Sequence, residues 1–169
     1  MSDSRPTVVF VGPPAAGKSR IARRVAARLD LPYIDTDTVI VRAHGPVSDI
    51  FAQHGEDFFR TVERETVREA LGSRGVVALG GGAIINPDTR ADLAHHRVAL
   101  ISISPEAVAH RLKPEKRPLV KDLDSWRALV DSRQDMYNEV ATKTFDASHR
   151  QIDDLATEVV EWIEGDSPS

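Results

Sequence analysis

The chain has no cysteine among its 169 residues. That absence excludes disulfides and thiolate chemistry, and it fits a reducing cytoplasm. Long apolar runs are missing as well. The longest span four to five residues, far short of a membrane crossing. The opening residues, Met1-Ser2-Asp3-Ser4-Arg5-Pro6, lack the apolar core that a signal peptide needs. There is no excess of positive charge: the formal net charge is −4, which argues against nucleic acid or an acidic membrane as the partner of the whole surface. The histidines (His44, His54, His95, His96, His110 and His149) show no metal-ligand spacing and read as surface or loop residues. The expectation is one cytoplasmic domain spanning 1–169, because this length supports one sizeable core and not two comfortable ones.

What the chain does have is concentrated near its start. Gly12-Pro13-Pro14-Ala15-Ala16-Gly17-Lys18-Ser19 follows the apolar run Val8-Val9-Phe10-Val11 and precedes a helical pattern of Ile21, Val25 and Leu29. Strand, glycine-flanked turn, Lys-Ser and helix is the context in which G-x-x-x-x-G-K-[ST] binds phosphate. Backbone N–H groups of the turn and of the helix start point into one concavity, where the helix dipole favours an anion. Lys18 adds a point charge for β- and γ-phosphates, and the Ser19 hydroxyl is a ligand for Mg²⁺. Ala15 stands where many such loops have glycine, and alanine fits only if that position needs no positive φ.

Further along, Leu31 to Ile34, Val76 to Leu79, Ala99 to Ile103 and Thr144-Phe145 read as strands. Helical patterns cover about 48–54, 56–71, 88–95, 105–112, 125–140 and 152–164. This alternation predicts an α/β fold with a parallel five-stranded sheet and helices on both faces. Ligands of such sheets lie beyond the carboxyl ends of the strands. Those ends carry the phosphate loop, Asp35-Thr36-Asp37 and Gly80-Gly81-Gly82, so three distant signals converge on one edge. Residues 165–169 read as a frayed tail.

The two aspartates are two residues apart, so in an extended chain both point to one side. One can reach hydrated Mg²⁺ and the other an acceptor hydroxyl; the competing reading is a turn with Asp37 as a helix N-cap. The triple glycine suits a place where a ligand lies against bare backbone. It also occupies the point where many phosphate-loop ATPases carry a metal-binding aspartate, which leaves Asp35 as the candidate for that role. On the helix at 125–140, Trp126, Leu129, Val130, Met136, Tyr137 and Val140 form one apolar stripe with Arg133 in its middle. An inward guanidinium needs an anion, either a substrate or a buried salt-bridge partner. Arg60, with Glu56 and Glu63 nearby, reads first as a surface ion pair, although its fork also matches a substrate carboxylate. Residues 111–121 hold five cations and one anion. Two prolines argue against a continuous helix there, so the segment reads as a basic lid, at about 112–124, or as a solvated loop. It lacks aromatics to stack nucleic-acid bases.

Taken in order, these features resemble the shikimate kinase family over nearly the whole chain. The matching motifs are Gly12 to Ser19, Asp35/Asp37, Phe59-Arg60-Thr61-Val62-Glu63, Gly80-Gly81-Gly82-Ala83, Arg117-Pro118-Leu119, and Arg133 through Tyr137 to Val140-Ala141. The resemblance implies a P-loop kinase fold and Mg²⁺- and ATP-dependent phosphorylation of the 3-hydroxyl of shikimate. It implies ATP contacts from Ala15, Ala16, Gly17, Lys18, Ser19 and Arg20, with Arg111 and Arg150 by the adenine and Arg117 at the phosphates. Asp37, Arg60, Gly80, Gly81, Gly82 and Arg133 fall to shikimate, both arginines on its carboxylate, and Ser19 and Asp35 to the metal, Asp35 through water. The resemblance makes Lys18, Asp37 and Arg117 the expected catalytic set. Arg20 stands where the family usually has threonine.

Two other readings share the phosphate loop. A gluconate or nucleoside monophosphate kinase would not need Asp-x-Asp, Phe-Arg, the triple glycine and Arg133 together. A nucleotide-dependent binding protein without transfer activity should have lost Asp37 or Arg117, and both are present. The expected partners are small molecules, with no nucleic acid or membrane. A monomer is expected because no large apolar surface stripe is left unassigned.

Overall fold

The structure, a computed structural model, describes residues 5–111 and 119–165. The elements run β1 (Pro6–Val11), α1 (Lys18–Leu29), β2 (Tyr33–Asp35), α2 (Thr36–His44), α3 (Val47–Ala70) and β3 (Gly75–Ala78). A short 3-10 turn at Ala83–Ile85 leads to α4 (Pro87–Leu93), β4 (Val98–Ser102), α5 (Pro105–Arg111), α6 (Leu119–Val140), β5 (Lys143–Asp146) and α7 (Ile152–Gly165). The five strands form one parallel sheet in the order β2-β3-β1-β4-β5. This is the α/β alternation expected.

Side-chain alternation along β1 divides the core between the two faces of the sheet. Val8 and Phe10 join Ile21, Ala22, Val25 and Ala26 of α1 and Leu155, Val159 and Ile163 of α7. Val9 and Val11 face the other way, toward Val67, Leu79, Leu93, Tyr137 and Val140. A smaller cluster of Ile40, Ile50 and Phe59 ties α2 to α3. Burial of β1 on both faces explains its continuous apolar run.

Three differences from expectation have local causes. The predicted helices at 48–54 and 56–71 are the two arms of α3, broken at Gly55 by φ 85 and ψ 171. Helix α6 begins at Leu119, well before 125: the prolines at 114 and 118 precede it, so they limit its start without interrupting it. Helix α2, absent from the expected set, starts directly after β2. Its N-cap is Asp35, whose carboxylate accepts from Thr38 N–H at 3.2 Å, so the cap reading offered for Asp37 belongs to Asp35.

Candidate active site

The turn from β1 to α1 is shaped by close approach. A Cβ at Gly12 would lie 2.4 Å from the Ile101 carbonyl oxygen, and Gly17 caps α1 with φ 85. Ala15 has φ 70. The condition set for alanine at this position is therefore not met: the loop holds a left-handed alanine, at a cost of about 1–2 kcal/mol. Neighbours hold it there. Arg111 donates to the Ala15 carbonyl at 2.9 Å, and Trp126 Nε1 donates to the Pro14 carbonyl at 2.7 Å.

Lys18 and Ser19 open α1 beside the Asp-Thr-Asp segment. The Ser19 hydroxyl donates to Asp35 Oδ2 at 2.9 Å, and Tyr33 OH donates to the same oxygen at 3.1 Å. Two adjoining oxygen ligands, one a carboxylate, are the hard donor set that Mg²⁺ takes, with water completing the shell. The pair therefore fits the ion. Because α2 begins at Thr36, the two aspartates are not on one side of an extended strand. Asp35 turns to Ser19, while Asp37 lies against Gly80. Burial pushes the Asp37 carboxyl above the ordinary carboxylate range and Asp35 adds to this, against the opposing pull of Lys18 and Arg60. Burial likewise draws the Lys18 ammonium down, against the attraction of Asp37 and Asp35.

The triple glycine follows β3, and at two of its members an added methyl would displace a side chain of the site. A Cβ at Gly80 would lie 2.4 Å from Asp37 Oδ1, and one at Gly82 would lie 2.7 Å from an Arg60 guanidinium nitrogen. At Gly81 a Cβ would come no nearer than 3.4 Å, to Pro14 Cδ. The fold has room for a methyl there. Gly80 N–H donates to Thr36 Oγ1 at 3.1 Å and fixes the strand end to α2.

Arg60 donates to Glu63 Oε1 at 2.8 Å. Glu63 is 4% exposed, so this pair is buried with Arg60 at its mouth, while Arg60 Nε also makes the expected surface pair with exposed Glu56 at 3.5 Å. Burial raises the Glu63 carboxyl, and Arg60 and Arg133 oppose the shift. Arg133 also reaches the buried Tyr137 hydroxyl, which donates to the Gly81 carbonyl at 2.8 Å. Arg133, a half-buried residue, thus has the Tyr137 hydroxyl and the charge of Glu63 in its surroundings.

On the other side of the phosphate loop, Ala16, Gly17, Arg20, Arg111 and Arg150 line a cavity of about 880 Å³. Arg150 also pairs with Glu158. Two groups of predicted residues are therefore assembled: the cavity set, and the set of Asp37, Arg60, Gly80, Gly82 and Arg133. Lys18, Ser19 and Asp35 lie between them. Arg117 lies outside the described residues. Glu63 and Tyr137, present in the sequence only as motif positions without a site role, and Trp126, present only as an apolar stripe residue, join the site in the structure. Helical spacing from Arg60 and Arg133 was the available signal for the first two.

The family model described as shikimate kinase matches residues 14–164. A shikimate kinase of Thermobifida fusca is 45% identical over 158 residues, covering 90% of this chain and 92% of that protein. One of Streptomyces avermitilis is 43% identical over 164 residues, covering 94% and 96%. The solved structure of shikimate kinase from Acinetobacter baumannii in complex with shikimate superposes with a TM-score of 0.84 at 29% identity, covering 98% of this chain and 96% of that one. The shikimate kinase of Aquifex aeolicus gives 0.79 at 25% identity, covering 94% and 96%. A family-model match over most of the chain, and relatives more than 40% identical over nearly their full length, agree with the phosphate loop and the polar cluster at this sheet edge: the chain belongs to the shikimate kinase family.

Proposed function

We propose that this chain transfers the γ-phosphoryl group of ATP to the 3-hydroxyl of shikimate, releasing ADP and shikimate 3-phosphate, as a phosphotransferase with an alcohol acceptor. The observation that carries the reading is the Asp37 carboxylate, seated against Gly80 between the phosphate-loop lysine and the Arg60–Glu63–Arg133 cluster. A carboxylic acid bearing several hydroxyls fits such a site: two guanidinium groups for the acid and one carboxylate for the reacting alcohol.

In the proposed step the 3-oxygen forms a bond to the γ-phosphorus as the bond to the β–γ bridging oxygen breaks, and the hydroxyl proton passes to Asp37. Lys18 neutralises charge on the β- and γ-phosphates, and Arg117 is assigned to the same phosphates on its motif. Ser19 and Asp35, through water, would hold Mg²⁺, which would supply neutralisation of the phosphate charge. Transfer of this kind has a loose transition state, so positioning and electrostatics outweigh strong base catalysis. A carboxylate raised by burial is nevertheless a better late proton acceptor than an exposed one. The cavity bounded by Arg20, Arg111 and Arg150 is assigned to the nucleoside end of ATP. Gly81, which the fold does not require to be bare, is assigned to shikimate contact.

The proposal takes the chain as a single kinase domain acting as a cytoplasmic monomer on two small molecules. Among the described residues the exposed large apolar side chains are Val39, Val41, Phe51 and Phe58, all on α2 and α3, and no described helix is long and apolar enough to cross a membrane. The test of the reaction is product identity. Phosphorus and proton NMR of a reaction with Mg-ATP and shikimate should show one phosphoester, coupled to the proton on carbon 3. An ester at another carbon, or none, overturns the reading.

A further inference from the structure

Helix α6 carries three site-facing side chains on one stripe. Arg133 is seven residues beyond Trp126 and Tyr137 eleven, which at about 100° per residue places all three within about 20° of one line. Two of them donate to backbone carbonyls, one in each substrate loop: Trp126 Nε1 to Pro14 at 2.7 Å and Tyr137 OH to Gly81 at 2.8 Å. Among the described residues no backbone N–H reaches either carbonyl. The two loops also touch each other, since Pro14 Cδ is the nearest atom to a Cβ built on Gly81. Trp126, Pro14, Gly81 and Tyr137 thus close a ring through α6.

The planar trans peptide gives these bonds a consequence. A carbonyl and the N–H of the next residue point in opposite directions. Drawing the Pro14 carbonyl toward α6 therefore turns the Ala15 N–H away from α6. Drawing the Gly81 carbonyl the same way does this to the Gly82 N–H. Neither N–H has a hydrogen-bond partner among the described residues. We propose that Trp126 and Tyr137 are positioning residues, each holding one loop carbonyl so that the following N–H is presented to a ligand: Ala15 to the phosphates of the nucleotide, Gly82 to the carboxylated acceptor. The proposal rests on the kinase reading for the identity of the two ligands. It also accounts for the left-handed Ala15, a strain that persists only where surroundings fix it.

The test separates the two arms. Trp126→Phe keeps the ring and removes the donor. It should raise KM for ATP, and the Kd for ADP measured by calorimetry, about threefold to tenfold, the effect of one neutral hydrogen bond, and leave KM for shikimate within about twofold. Tyr137→Phe should do the reverse. Equal changes in both constants together with a lower melting temperature would mean a merely structural role and overturn the proposal, as would unchanged constants. If Trp126→Phe does not fold, the ¹⁵N indole resonance of Trp126 in the wild-type protein decides. It should move on ADP addition and not on shikimate addition; a resonance indifferent to ADP overturns the proposal. Absence of turnover with shikimate would refute the kinase reading instead, and the ADP arm would still report on Trp126.

Discussion

Gly80→Ala isolates the position of Asp37 from its chemistry. The added Cβ would lie 2.4 Å from Asp37 Oδ1, 2.9 Å from its Cγ and 3.0 Å from Oδ2. Ordinary non-bonded separation is about 3.5 Å, so the carboxylate must retreat by about 1 Å. The obstacle is the far end of a flexible side chain, and Gly80 does not have a left-handed φ, so the backbone accepts alanine. The change should cost little stability, because a more restricted unfolded chain offsets part of the crowding. Catalysis is less forgiving. A reacting group displaced by about 1 Å loses on the order of 10²-fold in rate, or about 2.7 kcal/mol of barrier. ADP release at saturating Mg-ATP and shikimate should show that loss in kcat. Calorimetry should give a wild-type affinity for ATP, and the thermal melt should shift by no more than about 2 °C. A folded variant turning over within threefold of wild type would refute the argument that turnover depends on where Gly80 leaves Asp37.

Other substitutions read other parts of the site. Asp37→Asn should lose about 10²- to 10⁴-fold in kcat while still binding ATP. It should also melt higher at neutral pH. Because the Asp37 carboxyl is raised, the folded protein binds more protons than the unfolded chain, and stability from this group is greatest below the ordinary carboxylate range and falls as pH rises through the raised value. The gain should vanish near pH 3; a lower melting temperature at neutral pH contradicts the burial argument. Arg133→Ala should raise KM for shikimate about 10- to 100-fold, as for loss of a charge-assisted bond, and destabilise Glu63. A change confined to ATP would remove Arg133 from the acceptor site. Ala15→Gly should release the left-handed strain and raise the melting temperature by about 2–4 °C, equivalent to about 1 kcal/mol; a fall would show that the alanine is unstrained.

The residues that organise the sheet were legible because local chemistry dictates them. The apolar run of β1, the glycine-flanked turn and Lys18-Ser19 need no long-range information, and parallel order follows from strand–helix alternation. Arg133 was legible as an anomaly, a cation within an apolar stripe. The Asp-Thr-Asp geometry was not, because two residues' spacing was read with a strand's period where a helix had already begun; Asp35 caps α2 and thereby separates the two carboxylates. Ala15 was hidden for a different reason. Its positive φ is imposed by Arg111 and Trp126, which are 96 and 112 residues away from the carbonyls they bind, and local propensity argues against it. Glu63 looked like a solvent-facing partner of Arg60 because i,i+3 spacing is the same for buried and exposed pairs.

The Asp37–Arg60–Arg133 cluster should select shikimate as the acceptor. The most direct measurement is steady-state ADP release from Mg-ATP with shikimate, with gluconate, with nucleoside monophosphates and with no acceptor. Turnover should depend on shikimate and stay at the acceptor-free rate with the others. Stimulation by gluconate or a nucleoside monophosphate in place of shikimate would contradict that selection.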